Sequence, residues 1–387
     1  MKIAMIGTKG IPATWGGIEH HVEEIATRMV ALGHEVTVYC RPYYTTTDKE
    51  YYKGVHLKKI PTIPSKNLEA IVHTFLATIH AMTEDYDIVH YHAIGPATMA
   101  ILARMAGKNT VVTVHGLDWQ REKWAKPARM YLKFGEYASI WFPYRTITVS
   151  KFLKSYLENK YERPVTYIPS AVTDPIILPP DKIEAYGIGR RDYILFVARL
   201  VPEKGCHFLI DAYKRLNPDM KLVIAGGSSH SDDYVAELHK HASDKIIFPG
   251  YVYGEELQEL YSNAYCYVHP STIEGLPVTL LEALAYGNCV ITSDIPANME
   301  VVEDNGVIFE NMNVDGLCEA LKMVIENPAL ARELGERAMA HGMAEYNYDK
   351  VTEKTEALYR DVLAGYVRTP DNAVALPASE RKETRRL

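Results

Sequence analysis

The sequence predicts an α/β protein of two doubly wound, parallel-sheet domains that face each other across a cleft. Three observations carry that prediction. Short β-branched runs alternate with amphipathic stretches, and many runs are nearly continuously apolar, as parallel strands covered on both faces are. The 387 residues, 47% of them hydrophobic, exceed a single typical core. A proline-rich stretch, Ile168-Pro-Ser-Ala-Val-Thr-Asp-Pro-Ile-Ile-Leu-Pro-Pro180, separates two series of strands.

Met1-Lys-Ile-Ala-Met-Ile-Gly7 is too short an apolar run for a signal peptide and reads as the first strand. Strands are expected at 3–6, 36–39, 55–60, 88–92, 110–115 and 146–150. A second series is expected at 193–198, 220–225, 245–248, 265–270, 290–293 and 306–309. Ile18, Val22, Ile25, Ala26 and Met29 share one face of the first helix, which Gly33 closes. The domains read as 1–170 and 171–342, with a charged, loose tail over 367–387. Ligands of such sheets bind at the carboxyl ends of the strands, here in the cleft.

The net charge of −7 hides an asymmetry. Residues 1–150 carry 17 Lys and Arg against 13 Asp and Glu, and the remainder 25 against 36. A positive half can face anionic lipid or an acidic substrate, or reflect ordinary surface variation. Nucleic acid is not expected as a partner, since the chain is acidic and shows no nucleic-acid module. The five cysteines are scattered, with no Cys-x-x-Cys pair, and read as buried thiols in a reducing, cytoplasmic setting. No apolar run is long enough to span a membrane.

The most informative stretch is Glu274-Gly-Leu-Pro-Val-Thr-Leu-Leu-Glu282. It follows the strand at 265–270 and turns into a helix, with Pro277 suited to the first turn and Gly287 to the end. Free backbone N–H groups at such a start favour a phosphate. Glu282, one to two turns in, is placed to accept hydrogen bonds from a neutral diol such as ribose. Gly275 lets the backbone approach a ligand. The segment thus outlines a site for a nucleotide-sugar.

Other strand ends add candidates. Gly16 and Gly17 precede the first helix, in a loop whose spacing matches neither a dinucleotide fingerprint nor a P-loop. They serve an anion or simply a turn. Arg199 and Lys204 follow the strand at 193–198 and are placed to neutralise a diphosphate leaving group. His115 ends a strand and can meet a sugar hydroxyl or a developing charge, or be structural. His90, His92 and His115 could form a three-histidine metal site, but no carboxylate or thiol joins them, and no metal is expected. Asp118 is a candidate for a hydroxyl contact or general base, or a helix N-cap. Arg121 to Lys133 interleaves five cations with Trp119, Trp124, Met130, Tyr131 and Leu132. That pattern suits an anionic membrane surface or inward packing of its apolar side.

These residues resemble the retaining glycosyltransferases of the GT-B fold in family GT4, over nearly the whole chain. Glu274 and Glu282 match that family's Glu-x7-Glu motif. The resemblance implies two Rossmann-like domains facing a central cleft. It puts Glu274 near the donor sugar, Glu282 on the ribose, and the backbone of Gly275, Leu276 and Pro277 against sugar hydroxyls. Thr279 and Leu280 backbone would meet phosphate. Arg199 and Lys204 match the diphosphate clamp, Val252 the base-binding loop, Gly16 and Gly17 the N-terminal glycine pair, and His115 the histidine near the donor sugar. The last helix, within 343–366, would cross back onto the first domain. A narrower likeness, in residues 7–19 and 115–124, is to rhamnosyltransferase-like enzymes of bacterial surface-polysaccharide assembly. Two departures are Asp118, where that subgroup has Glu, and Ile168-Pro-Ser-Ala-Val172, where the family has Ile-Pro-Asn-Gly-Val.

The expected activity is therefore transfer of a sugar from a nucleoside-diphosphate-sugar to a hydroxyl of a glycan or lipid-linked acceptor, with retention and without a metal cofactor. Arg199, Lys204 and the helix start would stabilise the leaving charge. A non-hydrolysing sugar-nucleotide epimerase and a non-catalytic nucleotide-sugar or glycan-binding subunit are the rival readings. A dinucleotide oxidoreductase lacks its glycine fingerprint.

Overall fold

The structure, a computed structural model, describes residues 1–365 apart from 15, 46, 64, 66, 67, 122, 123, 229 and 230. The tail expected over 367–387, and Lys123 of the basic segment, lie outside the described residues. The strands are β1 (Lys2–Ile6), β2 (Glu35–Cys40), β3 (Tyr51–Tyr52), β4 (Val55–Lys59), β5 (Ile88–His92), β6 (Asn109–Val114), β7 (Arg145–Thr148) and β8 (Thr166–Tyr167), then β9 (Tyr193–Val197), β10 (Lys221–Ala225), β11 (Ile246–Gly250), β12 (Cys266–His269), β13 (Cys289–Ser293) and β14 (Val307–Phe309). All twelve expected strands form, with ends moved by a residue or two.

The first sheet runs β3-β4-β2-β1-β5-β6-β7-β8 and the second β11-β10-β9-β12-β13-β14. Every pairing is parallel except β3 with β4, a hairpin whose turn places Lys53 and Gly54 at φ 48° and 81°. Apolar residues alternate between the faces of the first sheet. Ala4, Ile6, Val89, Tyr91, Val112 and Val114 pack on one side, and Ile3, Met5, Val36, Val38, Ile88 and Val111 on the other. Helices cover both faces, so the strands are buried throughout, as their apolar runs require.

The helix Tyr348–Leu363 turns its buried Val351, Thr355, Leu358, Tyr359 and Val362 inward and packs on the helix Gly17–Ala31. The Tyr359 hydroxyl meets His90 Nδ1 at 2.6 Å, and Glu356 meets His34 at 2.9 Å. The chain thus passes between the sheets twice. The two passages pair with each other, Val172 N–H donating to Tyr346 C=O at 3.0 Å. Nearby, the Glu300 carboxylate, borne on the helix Pro296–Val302, accepts from the N–H groups of Lys151 and Phe152 at 2.7 and 3.2 Å. It caps the first-domain helix Lys151–Tyr161 from across the cleft, where an acidic group suits free N–H donors.

Among the cysteines, Cys318 is only half-buried, unlike the other four. No helix among the described residues is long and apolar enough to cross a membrane.

Candidate active site

The carboxyl ends of β1, β6, β9 and β12 converge on the cleft, bringing Gly16 and Gly17, His115, Arg199 and Glu274 to one place. One close approach is between backbones. A Cβ on Gly275 would lie 2.0 Å from the carbonyl oxygen of His115 and 3.0 Å from Gly116 Cα. Only glycine allows the two domains to meet there.

Gly16 has φ 104°, and the site of its missing Cβ is taken by the Glu19 carboxylate, 2.0 Å away. Glu19 also accepts from Lys9 N–H at 3.1 Å and so folds the loop onto the helix start. Across the cleft stands the second helix start, Val278–Ala285. Pro277 is its N-cap rather than a residue of its first turn. The Val278 side chain lies 3.5 Å from where a Cβ on Gly17 would be. Two helix N-termini therefore face each other, and both present N–H groups to one space.

Leu276 and Leu280 are buried, so only their backbones are available to a ligand. Glu282 accepts from the Tyr261 hydroxyl at 2.9 Å, which fixes its orientation; burial raises its pKa. Tyr261 also donates to the Thr279 carbonyl at 3.3 Å. Val252 is buried between Tyr251 and Tyr253, whose half-exposed rings stack 6.0 Å apart at 10°.

Lys204 forms an ion pair with Glu274, and His269 Nε2 meets the same carboxylate oxygen at 2.9 Å. Burial alone would raise the Glu274 pKa, but Lys204 and His269 outweigh it and hold the carboxyl well below the usual range. Arg199 lies beside this pair, mostly buried, with its pKa lowered by burial and then by the Arg121 guanidinium of the facing domain. Asp118 pairs with Arg121 at 3.0 Å and caps no helix through its side chain. Arg121, Arg199 and Lys204 thus gather at Glu274, with Asp118 and Glu203 close by; Arg199 alone of the three is in no ion pair among the described residues, which leaves it to meet an incoming anion.

The expected histidine trio is corrected in one member. His90 is taken up by Tyr359 and by Thr113, its Nε2 lying 2.7 Å from the Thr113 hydroxyl. His21 takes its place: ligand atoms of His21, His92 and His115 all lie within 4.8 Å of one another. His92 Nδ1 and His115 Nε2 are 3.3 Å apart. His21 Nδ1 and His92 Nε2 are buried without hydrogen-bond partners. Burial keeps these imidazoles neutral, with His21 lowered to about 4 and His92 and His115 well below the ordinary value. Neutral imidazoles are the ligand form, so the group has the donors for a borderline transition metal. His21 escaped notice because its helix position reads as packing.

Two cavities share Ile273 and Glu274. The smaller, about 40 Å3, lies between Gly116, Leu117 and Arg121 on one side and Arg199, Glu203, Lys204 and Gly275 on the other. The larger, about 450 Å3, has Trp119, Gln120, Arg129, Lys133 and Phe152 on the first-domain wall and Thr272, Ile295, Pro296 and Ala297 opposite. The basic segment is therefore not one surface. Arg129 and Lys133 line the larger cavity, while Met130, Phe134, Tyr137 and Trp141 form an exposed row along the helix Lys126–Trp141.

Fold and site together define a two-domain GT-B glycosyltransferase. Residues 15–174 match the Glycosyltransferase Family 4 model and residues 180–341 the Glycosyl transferases group 1 model. The chain belongs to the family 4 type of glycosyltransferase. An uncharacterized glycosyltransferase of Methanocaldococcus jannaschii is 28% identical over 93% of this chain and 98% of its own length. A GDP-mannose-dependent alpha-(1-6)-phosphatidylinositol monomannoside mannosyltransferase of Mycolicibacterium smegmatis is 26% identical, covering 86% of this chain and 91% of its own. Sucrose-phosphate synthase from Thermosynechococcus elongatus has the same fold, with a TM-score of 0.82 at 21% identity over 94% of this chain and 99% of that one. The Anabaena protein HepE, in complex with UDP and glucose, gives 0.79 at 19% identity over 93% and 100%.

Proposed function

We propose that this glycosyltransferase moves a hexose or deoxyhexose from a nucleoside diphosphate to a hydroxyl of a glycan or lipid-linked acceptor, with retention of anomeric configuration. The observation that carries the reading is the position of Glu274, shared by two cavities and paired with Lys204 beside Arg199. The smaller cavity marks where the donor's diphosphate meets Arg199 and Lys204; at about 40 Å3 it must widen to admit the donor. The larger takes the acceptor. The HepE complex with UDP-glucose, a protein of the same fold, supports a nucleotide-sugar as donor.

The donor's diphosphate enters where Lys204 now holds Glu274. Arg199 and Lys204 turn to the phosphates, and the Glu274 carboxylate is left to the sugar. The bond from the anomeric carbon to the diphosphate oxygen breaks, and the acceptor oxygen bonds to that carbon on the same face. The acceptor proton passes to the departing phosphate oxygen. The two cations and the helix N–H groups stabilise that oxygen, so the step requires no divalent metal. His115, neutral, meets the sugar hydroxyls; Glu282 takes the ribose, and the backbone at Val252 the base.

In this reading the acceptor-side domain is 1–170 completed by 343–366, and 171–342 binds the donor. The exposed row Met130, Phe134, Tyr137 and Trp141, with Lys126 at the start of the same helix, rests on an anionic membrane from the cytoplasmic side.

The test is to incubate the protein with UDP-, GDP- and dTDP-sugars, with and without an acceptor extract, and read the anomeric configuration of the product by NMR. Acceptor-dependent product with the donor's configuration is expected. An inverted product, or conversion of the donor into its epimer without acceptor, overturns the reading.

A further inference from the structure

The larger cavity carries a charge that no described residue neutralises. Arg129 and Lys133 stand one turn apart on the same helix face, and neither is in an ion pair among the described residues. The Nε of Arg129 is buried without a hydrogen-bond partner. A buried guanidinium N–H left unpaired is unfavourable, and an arriving acceptor oxygen relieves it. The one carboxylate on the cavity, Glu274, is already committed to Lys204 and His269.

The wall around these cations is rigidly built. Trp119 donates its indole N–H to Glu136 at 2.6 Å, and Glu136 is itself buried and tied to Lys160 at 2.6 Å and Tyr161 at 2.7 Å. The Lys133 ammonium sits 4.9 Å over the Trp119 ring. Phe152 on the same wall, and Ile273, Ile295 and Pro296 opposite, are apolar. The site therefore offers a half-buried guanidinium and an ammonium at its solvent edge, beside an apolar slot of small-molecule size.

We infer that the larger cavity binds the acceptor through a phosphate, held between Arg129 and Lys133, with the apolar or sugar part of the acceptor against Phe152 and Ile295. The inference deepens the proposed function by naming the acceptor's chemistry, and it rests on that reading only for which substrate enters here. Two unneutralised cations match a phosphate monoester or diphosphate; a single carboxylate balances one of them. The phosphate belongs either to a membrane lipid or to a soluble sugar phosphate. The exposed apolar row on the same helix gives a lipid a route in.

The test begins with the protein saturated by whichever of UDP, GDP or dTDP it binds, which blocks the donor side. Geranyl phosphate, geraniol, glucose 1-phosphate and methyl glucoside are then titrated by calorimetry. One or both phosphates are expected to bind at least tenfold more tightly than their neutral counterparts. Geranyl phosphate alone identifies a lipid source, and glucose 1-phosphate alone a soluble one. Arg129→Gln with Lys133→Gln weakens the bound phosphate at least tenfold and shifts nucleotide affinity less than twofold. Lys133→Gln alone, at an exposed position, gives a smaller loss and covers the case in which the double variant folds poorly. Equal binding of neutral and charged probes, or unchanged phosphate binding in the folded variants, overturns the inference. Failure to bind any nucleotide overturns the donor reading instead, and the phosphate titration then proceeds on the free protein.

Discussion

The carbonyl oxygen of His115 and the α-carbon of Gly275 touch across the cleft, with no room for a methyl group between them. In the same arrangement Gly17 stands beside Val278 and Arg121 near Arg199.

Gly275→Ala is expected to prop the cleft open. A displacement of about 1 Å costs on the order of 100-fold in rate. Turnover should fall by roughly that factor, while circular dichroism stays unchanged, because Gly275 lies in a loop outside the strands and helices. Steady-state kinetics beside small-angle scattering checks it; full activity in the folded variant would show that the contact does not gate the reaction.

Arg199→Ala combined with Lys204→Ala should abolish transfer while the fold survives. Removal of a single stabilising donor costs about 100- to 1,000-fold. In Lys204→Ala alone, Glu274 loses its ion pair and its pKa rises towards the value that burial favours. The variant's residual activity should then decline as pH falls from neutrality, where the parent is flat. Circular dichroism confirms the fold, and an unchanged pH profile would remove Glu274 from the argument.

Chelation should leave activity intact, because Arg199 and Lys204 carry the leaving charge. The check is transfer after EDTA treatment, with metal content measured by mass spectrometry. Loss of activity restored by zinc, and absent in His21→Ala, would instead give the His21, His92 and His115 group a catalytic metal.

Buried histidines predict a particular acid sensitivity. His21 and His73 are lowered to about 4 and His90 to about 3, against 6.5 when exposed. The unfolded chain takes up these protons and the folded chain refuses them. Stability is therefore full above about pH 6.5 and is lost as pH falls towards 4. At pH 5 each such histidine costs about 2 kcal/mol. Both ring nitrogens of His73 are buried without hydrogen-bond partners. His73→Leu should shrink the drop in urea midpoint between pH 7 and 5; an identical drop counts against it.

Phe134→Ser with Trp141→Ser should weaken binding to vesicles containing phosphatidylglycerol, and raised salt should weaken the parent too. Co-sedimentation measures both. Equal partitioning of parent and variant would leave the exposed row without a membrane role.

The fold was legible because its signals are local. Many of the longer strands are nearly continuous apolar runs between turn residues, whereas β3 and β8 are two residues long and leave no pattern to read. In the site, Glu274, Arg199 and Lys204 could be read from strand–loop–helix context. Their assembly around Glu274 could not, because His269 reads as the end of its own strand and Arg121 arrives from the facing domain. Arg129 and Lys133 looked like surface charge for a related reason. Their cavity exists only once Ile295 and Pro296 of the other domain stand opposite. Glu19 and His21 lie on a helix whose periodicity explains them as packing, and only the folded loop shows what they face.

The return of helix Tyr348–Leu363 to the first sheet has a consequence for how the molecule is made. Until those residues leave the ribosome, the Gly17–Ala31 helix lacks part of its cover and His90 has no Tyr359. The first domain to be synthesised is thus the last to be completed. Its uncovered face must wait through translation of the whole second domain, and this is the stage at which a nascent chain is most exposed to misassembly.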